Sequence, residues 1–313
     1  MEYQKPRIEF YRQRTFSEKM NVVFEFIREN WKPLLKYTFY LITPVCLIQT
    51  FAVNSFFSAT LNAAFELTDS GPFGSSMAAF LSNYGVIMLC NMIGGAIMSG
   101  MVYAMMQTYA VRENGLQNIR IDDFKDILIR NVWKYIRILM AIIFAFIVLA
   151  FLMAFLAAAV STISLALTIP IAIAAFLCLI PLGLVIPAFI FERDIDFYNA
   201  FTKGWKLGIA TLGGVLGLMI VLYLIASVIQ AIVILPWYLT IIVGTVLSTT
   251  SETVMIQSPV YKFVLYILGL VQTFGGFAAS IIGIVGLAFQ YFHAREKVEG
   301  VAIESNISNF GNL

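Results

Sequence analysis

Few residues in this chain of 313 have side chains suited to catalysis or to binding a metal. There is one histidine, His293, and the three cysteines, Cys46, Cys90 and Cys178, all lie inside apolar runs without paired spacing. Zinc and iron sites take several imidazole or thiolate ligands, and disulfide frameworks show recognisable cysteine spacings. The sequence therefore predicts no metal, no cofactor and no catalytic residue. We interpret His293, beside Arg295, as an ordinary residue at a membrane boundary rather than a proton shuttle.

Transport chemistry needs polar groups or broken helices at membrane depth. Ionisable side chains are essentially absent from the apolar runs, and Asn91 is the amide nearest the middle of one. Pro181 and Pro187 lie in "LIPLGLVIP", where each proline removes a backbone donor and bends a helix. These three residues outline a candidate cavity. A transporter or lipid-moving permease is therefore the alternative function, although interhelical hydrogen bonding and simple kinks explain the same residues.

The composition is that of a membrane protein, with 60% hydrophobic and 12% charged residues. Several uncharged runs exceed the roughly 20 residues that cross a bilayer as a helix. The first 30 residues are charged and polar, unlike a secretory signal, so we expect the first apolar segment to be retained. The predicted fold class is an all-α polytopic membrane protein with six crossings: Tyr37–Ser58, Phe80–Thr108, Ile136–Val160, Ile169–Phe191, Leu207–Ile234 and Val260–Phe292.

The positive charges predict the orientation, because lysine and arginine in short loops stay on the cytoplasmic side. Four blocks in alternate segments hold eight, six, three and two of the 20 lysines and arginines, and only Lys262 lies elsewhere. Six crossings arranged as three hairpins, with both termini in the cytoplasm, place every block inside. We predict one membrane domain over 1–313 with a cytoplasmic tail at 294–313. The apolar stretch Trp237–Thr249 is short for a crossing and is predicted to be re-entrant or interfacial.

Three of the four tryptophans are followed by lysine, each just before a long apolar run. An indole ring settles at the headgroup level, and a lysine ammonium reaches the phosphates and resists crossing. The three dipeptides are therefore predicted interfacial anchors: Trp31 with Lys32, Trp133 with Lys134, and Trp205 with Lys206.

An apolar stripe at helical spacing precedes each tryptophan, which predicts an amphipathic helix in the cytoplasmic interface. The stripes are Met20, Val23, Phe24, Ile27 and Trp31; Ile121, Phe124, Leu128 and Val132; and Ile195, Tyr198, Phe201 and Trp205. Glu18, Lys19 and Glu25 are assigned to the polar face of the first helix, and Thr15 with Glu18 has capping-box spacing. The pattern predicts a threefold repeat over 15–113, 120–192 and 194–293. Coincidence is the alternative, because aromatic residues and lysines gather at any cytoplasmic boundary.

Small residues four apart predict close helix packing within the membrane, where backbones approach most nearly through such positions. The pairs are Gly95 with Ser99, Ala96 with Gly100, Gly213 with Gly217, and Gly276 with Ser280.

The segment "DIDFYNAFTKGWKLG", followed by the glycine-rich "IATLGGVLGLMIV", carries a family resemblance. It resembles bacterial six-helix membrane families of unknown function that are related to the membrane domain of some glycerophosphodiester phosphodiesterases. The resemblance covers roughly residues 15–295 and supplies no catalytic residues, because the hydrolase part of such proteins is a separate soluble domain. It implies a bacterial cytoplasmic (inner) membrane protein with a role beside lipids or partner proteins.

Together these observations predict a non-enzymatic membrane protein that interacts with lipids, through anionic headgroups, or with a protein partner. Each lysine or arginine near an anionic surface contributes roughly 1 kcal/mol to such binding. Nucleic acid is not an expected partner, because the basic blocks are diluted by acidic residues and the formal net charge is only +2.

Overall fold

A computed structural model of the chain describes residues 7–66, 75–159, 170, 180–192, 195–249 and 258–301, and no strand occurs among them. Helices account for most of this part of the chain. In chain order they are α1 (Phe16–Glu66), α2 (Ser75–Val111), a 3₁₀ turn (Ile121–Asp123), α3 (Lys125–Ala159), α4 (Val185–Phe191), α5 (Phe197–Ala210), α6 (Leu212–Thr249) and α7 (Pro259–Glu299).

Five helices are long and apolar enough to cross a membrane: Phe16–Phe57, Phe80–Val111, Lys125–Phe151, Leu212–Val246 and Pro259–Glu299. The prediction of an all-helical, multi-pass membrane protein is confirmed at this level. The predicted fourth crossing, Ile169–Phe191, lies mostly outside the described residues. Its described end is a shorter apolar helix, Ile180–Phe191.

The chain after Ile234 differs from its prediction. We predicted that the fifth crossing ends there and that Trp237–Thr249 is a separate re-entrant or interfacial segment, but α6 runs without a break to Thr249. Pro236 lies inside this helix, and a proline within a membrane helix is tolerated when neighbouring groups satisfy the backbone. A helix of 38 residues is about 57 Å long, well beyond the ~30 Å hydrocarbon core.

The start of α1 follows the predicted capping box. The backbone N–H of Thr15 donates to Glu18 Oε2 at 2.7 Å, and the Glu18 N–H donates to Thr15 Oγ1 at 3.4 Å. The helix then bends at Asn30, whose backbone is not helical (φ −116°, ψ 17°). The Asn30 side chain donates to the carbonyl of Phe26 at 2.9 Å, so a hydrogen bond accompanies the bend.

The contacts divide the chain into a first unit (Met1–Trp31, Ser99–Tyr223 and Ile282–Leu313) and a second unit (Lys32–Met98 and Leu224–Ile281). In the first unit, one apolar core joins α3, α4 and α5 through Ile138, Val185, Phe189 and Ala200. In the second unit, Trp237 is 1% exposed and meets the ring of Phe57 edge-on at 5.0 Å between centroids.

One close backbone contact between helices in the first unit uses two glycines of α5. A Cβ added to Gly204 would lie 2.5 Å from Val185 Cα, and one added to Gly208 would lie 2.6 Å from Pro181 Cα. Only glycine permits this approach, which joins α5 to the segment before and within α4. Among the glycines of the predicted pairs, a Cβ added to Gly100 would lie 2.6 Å from Val132 Cγ2, so this position is tightly packed. A Cβ added to Gly213 would have no atom within 4 Å.

Candidate functional site

The predicted anchors lie at the protein surface, to different degrees. Trp31 and Trp133 are 51% and 59% exposed. Trp205 is partly exposed and stacks on Phe201, with ring centroids 6.4 Å apart. Lys32 and Lys206 are exposed, whereas Lys134 is half-buried. Lys32 and Lys206 are therefore accessible to solvent or to lipid headgroups, and Lys134 is less so.

The helix positions just before each tryptophan show the same pattern of burial in all three copies of the repeat. The residue five places earlier is buried in each: Phe26, Leu128 and Ala200. The residue directly before each tryptophan also packs against protein: Asn30, Val132 and Gly204. Positions four apart lie on one side of a helix, so each indole is turned away from a matching inward face.

The backbone breaks beside these helices resemble one another, but their distances from the tryptophans differ. In each copy the long apolar helix follows one residue with a ψ near zero: Asn30 within α1 (φ −116°, ψ 17°), Phe124 before α3 (φ −136°, ψ 1°) and Thr211 before α6 (φ −127°, ψ 27°). Trp31 directly follows its break, Trp133 comes well inside α3, and Trp205 precedes its break. The dipeptide therefore marks the joint itself only in the first copy.

Lys134 has a specific structural partner. Its Nζ donates to the backbone carbonyls of Phe189, at 2.5 Å, and Glu192, at 3.3 Å, and lies 4.8 Å from the centre of the Phe189 ring. These carbonyls are at the C-terminal end of α4, where a cation is stabilised by the helix dipole and by unpaired carbonyls. Lys134 therefore joins α3 to α4, a role that the sequence pattern did not indicate.

A closed ring of four charged side chains lies beside α4. Lys203 Nζ is 2.7 Å from Glu192 Oε1 and 3.0 Å from Glu299 Oε2, and Arg295 is 3.3 Å and 2.9 Å from the same two oxygens. Tyr291 Oη also donates to Glu192 Oε1, at 2.7 Å. Burial alone would raise the pKa of Glu192, but the hydrogen bonds from Lys203 and Tyr291 and the charge of Arg295 outweigh it and lower the pKa.

Sequence reasoning missed this ring. Arg295 and Glu299 are four residues apart on one helix and form an ordinary helical ion pair, which is the one local signal available. Glu192 and Lys203 join them only through the fold.

The segment before α1 is held by contacts to α2 and α7. Phe10 stacks on Phe292 with ring centroids 5.0 Å apart, and Tyr11 Oη accepts a hydrogen bond from Arg295 at 3.1 Å. The guanidinium of Arg7 donates to the backbone carbonyls of Tyr109 and Arg112 and so caps the C-terminal end of α2.

His293 of α7 also contacts the segment before α1. Its Nδ1 accepts a hydrogen bond from the backbone N–H of Arg14 at 3.0 Å, so this nitrogen carries no proton in that arrangement. Among the described residues, no group of three or more histidine, cysteine, aspartate or glutamate side chains is placed to hold a metal ion.

A cavity of about 760 Å³ opens beside these residues. It has one acidic and two basic side chains in its lining, Glu192, Arg130 and Lys134. Gln107, which lines the cavity, is held by two hydrogen bonds: its side chain donates to the Ile190 carbonyl at 2.9 Å and accepts from the Asn131 side chain at 3.1 Å.

The residues proposed to outline a transport cavity have other surroundings. Asn91, in the second unit, is exposed, donates to the Ile87 carbonyl at 2.9 Å and accepts from Gln49 at 3.4 Å. Pro181 and Pro187, in the first unit, are buried, and Pro181 packs directly against Gly208. The plainer interpretations, hydrogen bonding for the amide and packing for the prolines, describe these contacts.

Comparison of the chain with protein-family models, with curated proteins and with solved structures finds no match.

Proposed function

We propose that this chain is a non-enzymatic scaffold of the bacterial cytoplasmic membrane that binds anionic lipid headgroups through its basic interfacial segments. The observation that carries the proposal is the common arrangement of the three copies. In each, a buried position five residues before the tryptophan and a packed position just before it turn the indole outward. An outward indole followed by lysine suits the boundary between acyl chains and phosphates. A cytoplasmic protein partner is a further candidate ligand for the same basic surface.

The proposed topology is six crossings in three hairpins, each preceded by a cytoplasmic amphipathic helix, with both termini in the cytoplasm. Five long apolar helices and the shorter Ile180–Phe191 support this number, and the four basic blocks support the orientation. The matching inward faces and backbone breaks support a threefold internal repeat. We also propose kinship with the bacterial six-helix families related to the glycerophosphodiester phosphodiesterase membrane domain.

Exposed apolar side chains along α3 agree with a lipid environment. Phe144, Phe151 and Phe155 are 69%, 74% and 70% exposed. Large side chains of this kind are not left uncovered in a row on a soluble monomer, so lipid acyl chains are their proposed neighbours.

The function is tested by lipid selectivity. The protein is reconstituted into vesicles of mixed phosphatidylglycerol and phosphatidylcholine, extracted gently, and the ratio of the two retained lipids is measured. Lys32→Gln combined with Lys206→Gln should lower the phosphatidylglycerol share severalfold, because each lysine near an anionic surface contributes roughly 1 kcal/mol. The matched control replaces both lysines by arginine, which keeps the charge. Equal ratios in the wild type and the glutamine variant would refute the proposal.

The orientation is tested by cysteine labelling in a variant whose three native cysteines are alanine. Asp126 and Lys262 are both exposed and are assigned to opposite sides. A membrane-impermeant maleimide applied to intact cells should label Lys262→Cys and spare Asp126→Cys until the cells are opened. The reverse pattern would overturn the assigned orientation while leaving the helices unchanged.

A further inference from the structure

We propose that the 760 Å³ cavity binds the phosphate of one anionic phospholipid, with Arg130 as its main ligand. The inference rests on the proposed function, since it assigns one defined lipid site to a chain that we propose binds anionic lipids. The volume falls within the range of small-molecule sites. All the lining residues belong to the first unit.

Arg130 is available for a ligand. It is exposed, lines the cavity, and makes no hydrogen bond or ion pair with any residue in the described part of the chain. Its guanidinium presents a planar fork of donors that matches two phosphate oxygens. Lys134 lies one helical turn further on. Because two carbonyls already hold the Lys134 ammonium, it contributes charge to the cavity rather than the first contact.

Glu192 also lines the cavity and does not cancel this charge. Its carboxylate is compensated by Lys203 and Arg295, while Glu299 completes a ring in which two acids balance two bases. The ring is therefore neutral as a whole. Arg130 has no acidic partner in the described part of the chain, and Lys134 adds a positive charge to the same lining, so the cavity favours an anion.

The rest of the lining favours a lipid over a free anion. Ala110 and Val111, the last residues of α2, are exposed at the cavity, and Ile127 and Ile195 line it further. Val111 is 75% exposed. Apolar side chains of this kind suit the glycerol and upper acyl carbons of a phospholipid, whose phosphate then lies near Arg130. Inorganic phosphate would gain nothing from them.

The site is rigid enough to be selective. Gln107 hydrogen-bonds both to the Ile190 carbonyl and to Asn131, which ties α2 to α3 and to α4. Phe10, which also lines the cavity, is stacked on Phe292. Walls held in this way need little ordering when a ligand binds.

Native mass spectrometry of the full chain tests the proposal. The protein is purified from vesicles of phosphatidylglycerol and phosphatidylcholine, and collisional activation removes the loosely bound lipids. The measured quantity is the fraction of protein that still carries one phosphatidylglycerol. Arg130→Gln should reduce retained phosphatidylglycerol about tenfold, the effect of losing one hydrogen bond to a charged group. Arg137→Gln is the matched control, because Arg137 is an exposed arginine of α3 outside this lining. Ala110→Trp fills the cavity from an exposed position and should also abolish retention.

The outcomes separate this inference from the proposed function. If Arg130→Gln and Ala110→Trp retain as much phosphatidylglycerol as Arg137→Gln, the defined site is refuted and only diffuse attraction remains. If the wild type shows no preference for phosphatidylglycerol in either assay, the proposed function itself fails. If inorganic phosphate at the same concentration as the lipid displaces the retained lipid, the site recognises a free anion and the lipid assignment is overturned.

Discussion

The two units of the chain use different polar chemistry. In the first unit, the ring of Glu192, Lys203, Arg295 and Glu299 consists of full charges. The second contains hydrogen bonds between neutral side chains, such as Trp237 Nε1 with Asn54 Oδ1 at 2.9 Å and Thr50 with Thr273 at 3.3 Å. Charges are costly within lipid, whereas amides and hydroxyls are tolerated and contribute about 0.6 kcal/mol per bond. A ring of full charges therefore suits the ends of helices in water, and hydrogen bonds between neutral groups suit helices within lipid.

The neutral pairs are also less completely satisfied. Gln49 Oε1 and Gln230 Oε1, both in the second unit, are buried without a hydrogen-bond partner in the described part of the chain. The first unit has one such atom, Asn131 Oδ1. If the comparison holds, breaking the charged ring should cost far more stability than breaking a neutral pair.

The largest effect is expected from Glu192→Gln. The substitution leaves Lys203 and Arg295 with one acid between them, and breaking this partly buried network costs up to about 3 kcal/mol, the value for a buried ion pair. Thermal unfolding in detergent measures the loss, and Glu113→Gln, at an exposed position, is the control. Because the pKa of Glu192 is lowered in the folded protein, its contribution is present at neutral pH and is lost as the pH falls through that pKa. The two proteins should therefore converge in acid; equal stability at pH 7 would contradict the assignment.

A smaller effect is expected from Gly208→Ala. The added methyl group would meet the backbone of Pro181 at 2.6 Å, and overpacking of this kind costs about 2 kcal/mol. In the second unit, Gly276→Ala is the matched control, since its methyl would meet the flexible Gln230 amide at 3.2 Å. We expect the same unfolding assay to show a clear loss for the first variant and little change for the second. Equal losses would mean that the two helix contacts are equally rigid.

The smallest effect is expected from Trp237→Phe. It removes the donor to Asn54 and also shrinks a ring that is 1% exposed, so the part of the loss due to the hydrogen bond should be about 0.6 kcal/mol. Trp237→Phe in an Asn54→Leu background is the control, because it makes the same change of ring size with no hydrogen bond to lose. A loss as large as that of Glu192→Gln would break the distinction between the two units.

Sequence reasoning succeeded where one helix carries the whole signal. The lengths of the apolar helices and the cap formed by Thr15 and Glu18 both follow from local pattern. Lys19 shows the limit: it was assigned to a polar face but is 4% exposed, because its ammonium donates to Gln290, 271 residues away, at 2.8 Å.

The same limit applies to the candidate site. The spacing of Gly204 and Gly208 was visible in "GWKLG", but its partner, the Pro181 segment, was not. The predicted end of the fifth crossing at Ile234 was wrong, because Trp237–Thr249 was judged by its own length as short for a crossing, whereas α6 continues through it as one helix. The local pattern does not single out Arg130, because the cavity beside it is built from distant segments.

The charged ring has an electrostatic consequence at longer range. Two cations and two anions alternate within about one ion-pair distance of each other, so their potentials cancel beyond the Debye length of roughly 8 Å at physiological ionic strength. The four groups together therefore have zero net charge and exert little force on an ion at a greater distance. The chain therefore joins these helices through full charges that add nothing to its net charge.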